Sequence, residues 1–282
     1  MITGGETVPA FLCTACGTQY PPSDTTPSLC PICEDPRQYV NPAGQSWTSP
    51  ESLARGHANA FRLLAPRLFA ITTMPSFAIG QRAILLCRPE GNFLWDCISL
   101  LDPATEALVR ALGGLSGIAI SHPHYYSAMV DWAISFQCPI HLHAADRSWV
   151  MRPDPAIRFW DGPSLSLASG LRLICCGGHF AGGTVLYWEE GAGGKGALLS
   201  GDILQVLPDR RHVSFMRSFP NYWPLSASAV RRILAACQEV PFDAIYGAFA
   251  SREIVTGGRA ALEASAARYL AAIEGDGRAE LR

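Results

Sequence analysis

Short apolar runs separated by turn residues dominate the chain from about residue 68 onward. The runs at 68–72, 83–87 and 93–96 have the length and apolar content of buried β-strands. The turn Arg88-Pro89-Glu90-Gly91-Asn92 separates the second run from the third. This pattern predicts a strand followed by a β-hairpin.

Helix signals alternate with these strands. Asp102 followed by Pro103 predicts the start of a helix, and Gly113-Gly114 predicts its end. Ser127 is predicted to cap the next helix. Further helices are predicted at 227–237 and 258–273, and further strands at 117–120, 140–143, 171–176, 185–188, 197–200 and 244–246. Strands that alternate with helices predict an α/β fold.

The composition supports a sizeable core and limits the classes of partner. Of 282 residues, 49% are hydrophobic and only 16% are charged, against roughly 25% charged in an average soluble domain. The formal net charge is −2 and no block of Lys or Arg occurs. Neither a nucleic acid nor a membrane surface is therefore an expected partner, and a small-molecule substrate fits better.

The N-terminal stretch 1–11 lacks the basic and apolar regions of a signal peptide. No apolar run is long enough to cross a bilayer. A cytoplasmic location is therefore expected. The sequence does not set the oligomeric state, and a homodimer is left open.

Four of the ten cysteines lie in two CxxC pairs, Cys13 with Cys16 and Cys30 with Cys33. Four thiolates at this spacing satisfy a tetrahedral zinc ion. The pairs resemble the metal-binding turns of rubredoxins as well as those of zinc ribbons, and the short loop between them favours a zinc ribbon at 9–45. Because so small a segment has little core of its own, this zinc is expected to be structural.

A second candidate site lies far downstream, where Ser121-His122-Pro123-His124 follows the predicted strand 117–120. The histidines therefore lie at the carboxyl end of a strand, where open α/β sheets place ligands. His141 and His143 share one face of another predicted strand. Such residues are more often core or rim histidines, and they are not included among the expected ligands.

Four features in order resemble the metallo-β-lactamase fold. They are the run 93–96 ending in Asp, the His-x-His loop, the segment 178–183 beginning Gly-His, and the strand 198–200 followed by Gly-Asp. Their order and spacing match over residues 60–282, and hydrolases of this fold that carry a cysteine module share the likeness. The resemblance implies an αββα sandwich of the metallo-β-lactamase type preceded by a small zinc ribbon.

The resemblance also implies a ligand set. His122, His124 and His179 match the three histidines of the family's first metal site, and Asp202 matches the carboxylate that bridges to the second. The other ligands of the second site are missing, because this chain has Tyr126, Ser127 and Ala248 at those positions. The implied site is mononuclear and open to water or substrate.

Three neutral imidazoles favour zinc, which lowers the pKa of bound water to about 7 and so supplies a hydroxide nucleophile. Asp202 is expected to ligate the ion or orient that water. Tyr126 replaces a family aspartate, and its phenol could donate a hydrogen bond to a developing oxyanion. An aromatic residue that only packs beside the site explains Tyr126 equally well.

The segment 210–223 is unusually aromatic for a loop. In this fold the segment after the Gly-Asp strand helps to form the wall of the site. Arg217, Tyr222 and Trp223 are therefore candidate substrate-binding residues for an apolar or aromatic substrate with one anionic group. A hydrophobic cover between the ribbon and the main domain is the competing interpretation.

Three functions remain open at this point. The first is a zinc-dependent hydrolase of an ester, lactone, thioester or amide bond. The second is a mononuclear non-haem iron dioxygenase, since such enzymes acting on sulfur compounds exist within this fold and histidines with a carboxylate also suit iron. The third is a non-catalytic metal-binding scaffold protein.

Overall fold

The computed structural model describes residues 8–38 and 44–275. Its N-terminal module contains the strands Leu12–Cys13 (β1) and Trp47–Thr48 (β2), which pair antiparallel, and the one-turn helix Pro31–Glu34 (α1). The helix Pro50–Gly56 (α2) follows and is capped by the Ser49 side chain. Because Leu12 pairs with Thr48, the module's strand pairing extends beyond residue 45. The boundaries 9–45 and 60–282 stay predictions, and residues 39–43 and 276–282 lie outside the described residues.

The first large sheet has seven strands, whose spatial order is their chain order. The first three pairings are antiparallel and the last three are parallel. The strands are Ala58–Ala65 (β3), Leu68–Met74 (β4), Ala83–Leu86 (β5), Phe93–Trp95 (β6), Gly117–Ala119 (β7), Ile140–His143 (β8) and Ile157–Trp160 (β9).

The second large sheet has the order β10-β11-β12-β13-β18-β19. Its strands are Ser164–Ala168 (β10), Leu171–Cys175 (β11), Thr184–Trp188 (β12), Ala197–Gly201 (β13), Ala244–Gly247 (β18) and Glu253–Ile254 (β19). Two short hairpins lie between β13 and β18. They are formed by Gln205–Val206 (β14) with Val213–Ser214 (β15), and by Met216–Ser218 (β16) with Trp223–Pro224 (β17).

Helices cover the outer faces of both sheets. Pro103–Ala111 (α3) and Met129–Phe136 (α4) pack on the first sheet, and Ala227–Gln238 (α6) and Gly258–Glu274 (α7) pack on the second. The short turn Gly191–Gly194 (α5) joins β12 to β13. A third apolar cluster, which includes Trp95, Leu199 and Tyr246, fills the space between the sheets. The predicted αββα sandwich is therefore confirmed.

The structure differs from the local predictions at several points, and the strands β3, β9 and β10 were not predicted. Strand β3 was not predicted, because it is an edge strand whose residues are mostly exposed or half-buried and so lack an apolar run. The cap of α4 is Ala128 rather than Ser127. Ser127 has a left-handed φ of 41°, and its hydroxyl accepts a hydrogen bond from Gln81 Nε2 at 2.9 Å instead of capping the helix. Among the described residues, no helix has the length and apolar character that a membrane span requires.

Candidate functional site

The four predicted cysteine ligands converge in the N-terminal module. Cys13 Sγ lies 3.7 Å from Cys33 Sγ, and Cys16 Sγ lies 3.5 Å from Cys30 Sγ. All four are buried free thiols whose sulfurs lie within 4.8 Å of one another. Zinc–sulfur bonds of about 2.3 Å place the sulfurs of a tetrahedral site about 3.8 Å apart. The cluster therefore fits one tetrahedral metal ion.

The backbone of the module directs these sulfurs inward. Gly17 has a φ of 82° and donates its N–H to Cys13 O at 2.8 Å, so it closes the first turn in a conformation that favours glycine. Cys33 N–H donates to Cys30 O at 2.9 Å and closes the second turn. Hydrogen bonding among the four thiols lowers the pKa of Cys13 and of Cys30. Two members of the cluster thus favour the thiolate form that binds metal.

The three predicted histidine ligands meet at one end of the sandwich. His122 and His124 follow β7, and His124 lies within the 3₁₀ helix Pro123–Tyr125. His179 lies in the loop between β11 and β12. Asp202 directly follows β13. The sequence placed these residues on three separate segments, and the fold brings them together.

The ligand atoms have the spacing of a metal site. His179 Nε2 lies 3.2 Å from His124 Nδ1, and His122 Nε2 lies 3.3 Å from Asp202 Oδ1. Metal–nitrogen bonds of about 2.0–2.1 Å place tetrahedral ligand atoms about 3.4 Å apart. His179 Nδ1 donates to Met216 O at 3.1 Å, so its Nε2 presents a lone pair to the cluster.

Buried polar atoms at the same point lack partners. His122 Nε2 and Asp202 Oδ1 make no hydrogen bond to any residue that the structure describes. Buried polar groups are normally satisfied, so a cluster of unsatisfied acceptors requires a proton donor or a cation. The donor set of three imidazoles and one carboxylate fits a zinc or iron ion.

Burial sets the protonation of the site. Burial, reinforced by the neighbouring histidines and Arg37, holds the pKa of His122 well below its usual range. Burial likewise lowers the pKa of His124, and the other positive charges add to the effect. Burial raises the pKa of Asp202, and the electrostatic interaction with His179 opposes part of this rise. The two histidines are therefore neutral near pH 7, which is the form that binds metal.

Asp96, at the end of β6, supports the histidine loop from behind. Its Oδ1 accepts the Ser121 N–H at 2.7 Å, and Ser121 Oγ lies 2.9 Å from His122 Nδ1. Burial raises the pKa of Asp96 to about 7, although the hydrogen bonds from Ser121 oppose the shift. This chain of contacts fixes the ring of His122 with Nε2 toward the cluster.

Three residues stand where the family has ligands of its second metal ion, and each of them contacts another part of the fold. They are Tyr126, Ser127 and Ala248. Tyr126 is buried in the core between the first sheet and α4, and Asp146 raises its pKa in addition to burial. Ser127 bonds to Gln81, as described above. Ala248 is buried and donates its N–H to Gly201 O. Their side chains supply no carboxylate or imidazole for a second ion.

A cavity of ≈ 500 Å³ opens in front of the histidines. Tyr125 lines it, whereas Tyr126 is not among the lining residues. The 3₁₀ helix explains the difference, because side chains three residues apart eclipse each other in such a helix. The rings of Tyr125 and His122 are accordingly 4.3 Å apart. The sequence alone could have indicated Tyr125, because it lies three residues after His122. The other lining residues are Arg37, Gln38, Ala78, Ile79, His124, His179, Asp202, Gln205, Phe219, Pro220, Phe249 and Arg252.

The aromatic loop contributes to this cavity through different residues from those predicted. Phe219 and Pro220 line the cavity, whereas Arg217, Tyr222 and Trp223 do not. Tyr222 is 83% exposed, and Arg217 stacks on Trp223 with its guanidinium 4.8 Å from the ring centre. The arginines in the lining are Arg37 and Arg252, and sequence reasoning assigned neither to the site.

The remaining histidine pair lies outside the cluster. His143 Nδ1 accepts the Ala145 N–H at 3.2 Å, so this side chain caps the 3₁₀ helix Ala144–Trp149. His141 is half-buried on β8, and burial lowers its pKa. Neither residue belongs to the histidine cluster.

Solved structures with the same fold are distant in sequence. The crystal structure of the DIM-1 metallo-β-lactamase exposed to ceftazidime aligns with a TM-score of 0.53 and 13% identity, covering 73% of this chain and 97% of that one. TTHA1623 in a di-iron-bound form aligns with a TM-score of 0.50 and 21% identity, covering 68% and 96%. These matches show the metallo-β-lactamase fold that the sequence features predicted.

A closer relative comes from Bacillus subtilis strain 168. It is described as the uncharacterized protein YmaE, and it is 44% identical over 271 residues, which are 95% of this chain and 98% of that protein. No protein-family model matches the sequence. Since the likeness to YmaE extends over nearly the whole length of both proteins, the chain belongs to the protein family of YmaE, and its fold is the metallo-β-lactamase fold.

Proposed function

We propose that this protein is a metal-dependent hydrolase of a small molecule that combines an apolar part with an anionic group. The observation that carries the proposal is the unsatisfied histidine and carboxylate cluster beside a cavity large enough for a metabolite. Ligand sites of this size with a few convergent polar groups are the usual location of enzyme chemistry.

A bound divalent ion would supply Lewis-acid chemistry, which polarises a carbonyl and lowers the pKa of water to about 7. Zinc is the proposed ion, because it suits imidazole ligands and needs no redox partner. His122, His124 and His179 would hold it, with Asp202 beside them. One ion is expected at this site, since Tyr126, Ser127 and Ala248 replace the ligands of a second.

Tyr125 is the proposed donor to the reacting group. Its hydroxyl is buried near the Asp202 carboxylate without forming a well-aligned hydrogen bond to the described residues, and its ring lies beside His122. Burial and the charge of Asp202 hold its pKa well above its usual range, so the phenol keeps its proton. A neutral phenol in this place can donate a hydrogen bond to the oxygen on which negative charge develops.

The lining of the cavity supports the substrate class. Phe219, Pro220 and Phe249 present apolar surface, and Arg252 presents a cation. Gln38 is 4% exposed, and its Nε2 has no partner within the described residues. An ester, lactone, thioester or amide that carries a carboxylate would use all of these groups.

The test is a panel of chromogenic esters, lactones, thioesters and lactams assayed with the wild-type protein and with His179→Ala. Elemental analysis should find two ions per chain in the wild type and one in the variant, which should also lose all turnover. His212→Ala is the matched control, because this histidine pairs with Asp209 away from the cluster. Iron-dependent oxygen uptake with persulfides, without hydrolysis of any panel member, would instead establish the dioxygenase alternative. Full turnover in His179→Ala would refute both.

A further inference from the structure

Arg37 of the cysteine module reaches into the histidine site. Its side chain is 9% exposed and forms a two-point ion pair with Asp35, with Nε 2.6 Å from Oδ1 and Nη2 2.8 Å from Oδ2. The guanidinium carbon lies 3.7 Å from the centre of the Phe180 ring. Nη1 remains available and donates to the backbone oxygen of His179 at 3.2 Å. The module therefore contacts the backbone of a metal-ligand residue directly.

The same segment is fixed on its other side by the loop that orients the His179 ring. Ser218 Oγ donates to Arg37 O at 2.8 Å, and Asn221 Nδ2 donates to Pro36 O at 2.8 Å. Ser218 belongs to β16, and Met216 of that strand accepts the hydrogen bond from His179 Nδ1. Arg37 thus joins the backbone of His179 to the strand that sets its imidazole orientation.

Two conformational features make this contact important for His179. Its loop begins with Gly177 and Gly178, whose φ values of 64° and 85° favour glycine, so these two positions have no side chain that could hold the loop. The buried side chain of the loop is Phe180, and the Arg37 guanidinium stacks on its ring. Hydrogen bonds also hold the loop in place. Arg37 donates one of them to His179 O, and Gly182 N–H donates another to Asp146 at 2.9 Å. Removal of Arg37 should therefore leave His179 less well ordered.

We infer that the cysteine module acts as a structural support for the histidine metal site, with Arg37 as the positioning residue that holds His179 in its ligating orientation. Groups that orient metal ligands commonly change metal affinity by about 10–100-fold when they are removed. The inference depends on metal binding by the three histidines and not on hydrolysis.

Arg37→Met and Arg37→Lys test the inference in the full-length protein. The measurement is the zinc affinity of the histidine site, determined by competition with a chromophoric chelator while the cysteine-bound zinc is retained. Arg37→Met should bind zinc about 10–100-fold more weakly, and Arg37→Lys should fall between it and the wild type because an ammonium group cannot form the two-point pair. An affinity within twofold of wild type in Arg37→Met would overturn the inference.

Arg110→Met is the matched control. Arg110 also pairs with an acid of its own segment, Glu106, and its guanidinium lies 5.1 Å from the ring centre of Phe136; it does not line the cavity. This variant should keep the wild-type affinity. If Arg37→Met does not fold, Ser218→Ala leaves the Arg37 side chain in place, removes the hydrogen bond to Arg37 O together with the one that Ser218 Oγ accepts from Asn221 N–H, and should weaken zinc binding in the same direction. Absence of zinc binding in the wild type would instead refute the proposed function.

Coupling of this kind must be reciprocal. Zinc at the histidine site should therefore slow the reaction of the module's cysteines with a thiol reagent in the wild type. The protection should disappear in Arg37→Met, whose cysteines should react at the same rate with and without that zinc. Equal rates in the loaded and unloaded wild type would refute the coupling.

Discussion

The Tyr125 hydroxyl gives the sharpest test of the proposed chemistry. Tyr125→Phe removes one oxygen atom and leaves the aromatic ring, which packs 4.3 Å from the His122 ring and 6.4 Å from the Phe249 ring. The hydroxyl makes no hydrogen bond to the described residues. Its removal breaks no well-formed hydrogen bond and takes away only the approach of the hydroxyl to the Asp202 carboxylate, so the free energy of unfolding should change by about 1 kcal/mol or less.

The effect on turnover should be far larger. If the phenol donates to developing negative charge, its loss should lower kcat by about 10²–10³-fold, which is about 2.7–4 kcal/mol of transition-state stabilisation. The metal content should stay at the wild-type level, since a neutral phenol is a poor zinc ligand. The assay is steady-state kinetics on the best substrate of the panel, with elemental analysis and urea denaturation of the same preparations.

Tyr126→Phe is the comparison that makes the result decisive. Tyr126 is buried in the apolar core outside the cavity lining, so kcat should stay close to the wild-type value. Wild-type kcat in Tyr125→Phe would refute the role of its hydroxyl. A large loss of kcat in Tyr126→Phe alone would instead support the assignment made from the sequence.

Three further predictions concern two residues that line the cavity and one that supports the His179 loop. Gln38→Leu should raise KM with little change in kcat, because Gln38 lines the cavity and its Nε2 has no partner among the described residues. The exposed Gln238→Leu is the control. Arg252→Ala should raise KM for anionic substrates more than for their neutral analogues in steady-state assays. Arg217→Ala should affect both kinds of substrate equally, since Arg252 lines the cavity and Arg217 does not. Asp146→Ala should lower the free energy of unfolding by about 1–3 kcal/mol in urea titrations, because it leaves the buried Gly182 N–H without its acceptor.

The sequence by itself determined the features that depend on local spacing. The two CxxC turns specify the cysteine cluster, because each turn presents both of its sulfurs to one point. The α/β class followed from short apolar runs that alternate with capped helices, and the αββα order followed from the resemblance to the metallo-β-lactamase fold. The candidate metal ligands His122, His124 and His179 were identified through the resemblance, since each follows a strand in the expected order.

Only the tertiary structure decided which side chains surround the ligands. The choice between Tyr125 and Tyr126 depends on the 3₁₀ helix: both residues pack in the core of the first sheet, but only Tyr125 is among the residues that line the cavity. Arg37 and Arg252 reach the cavity from opposite ends of the chain, and no local pattern distinguishes them from Arg217. Local spacing fixes what a short segment can bind, whereas a cavity wall is assembled from residues distant in sequence whose meeting depends on the packing of the whole fold.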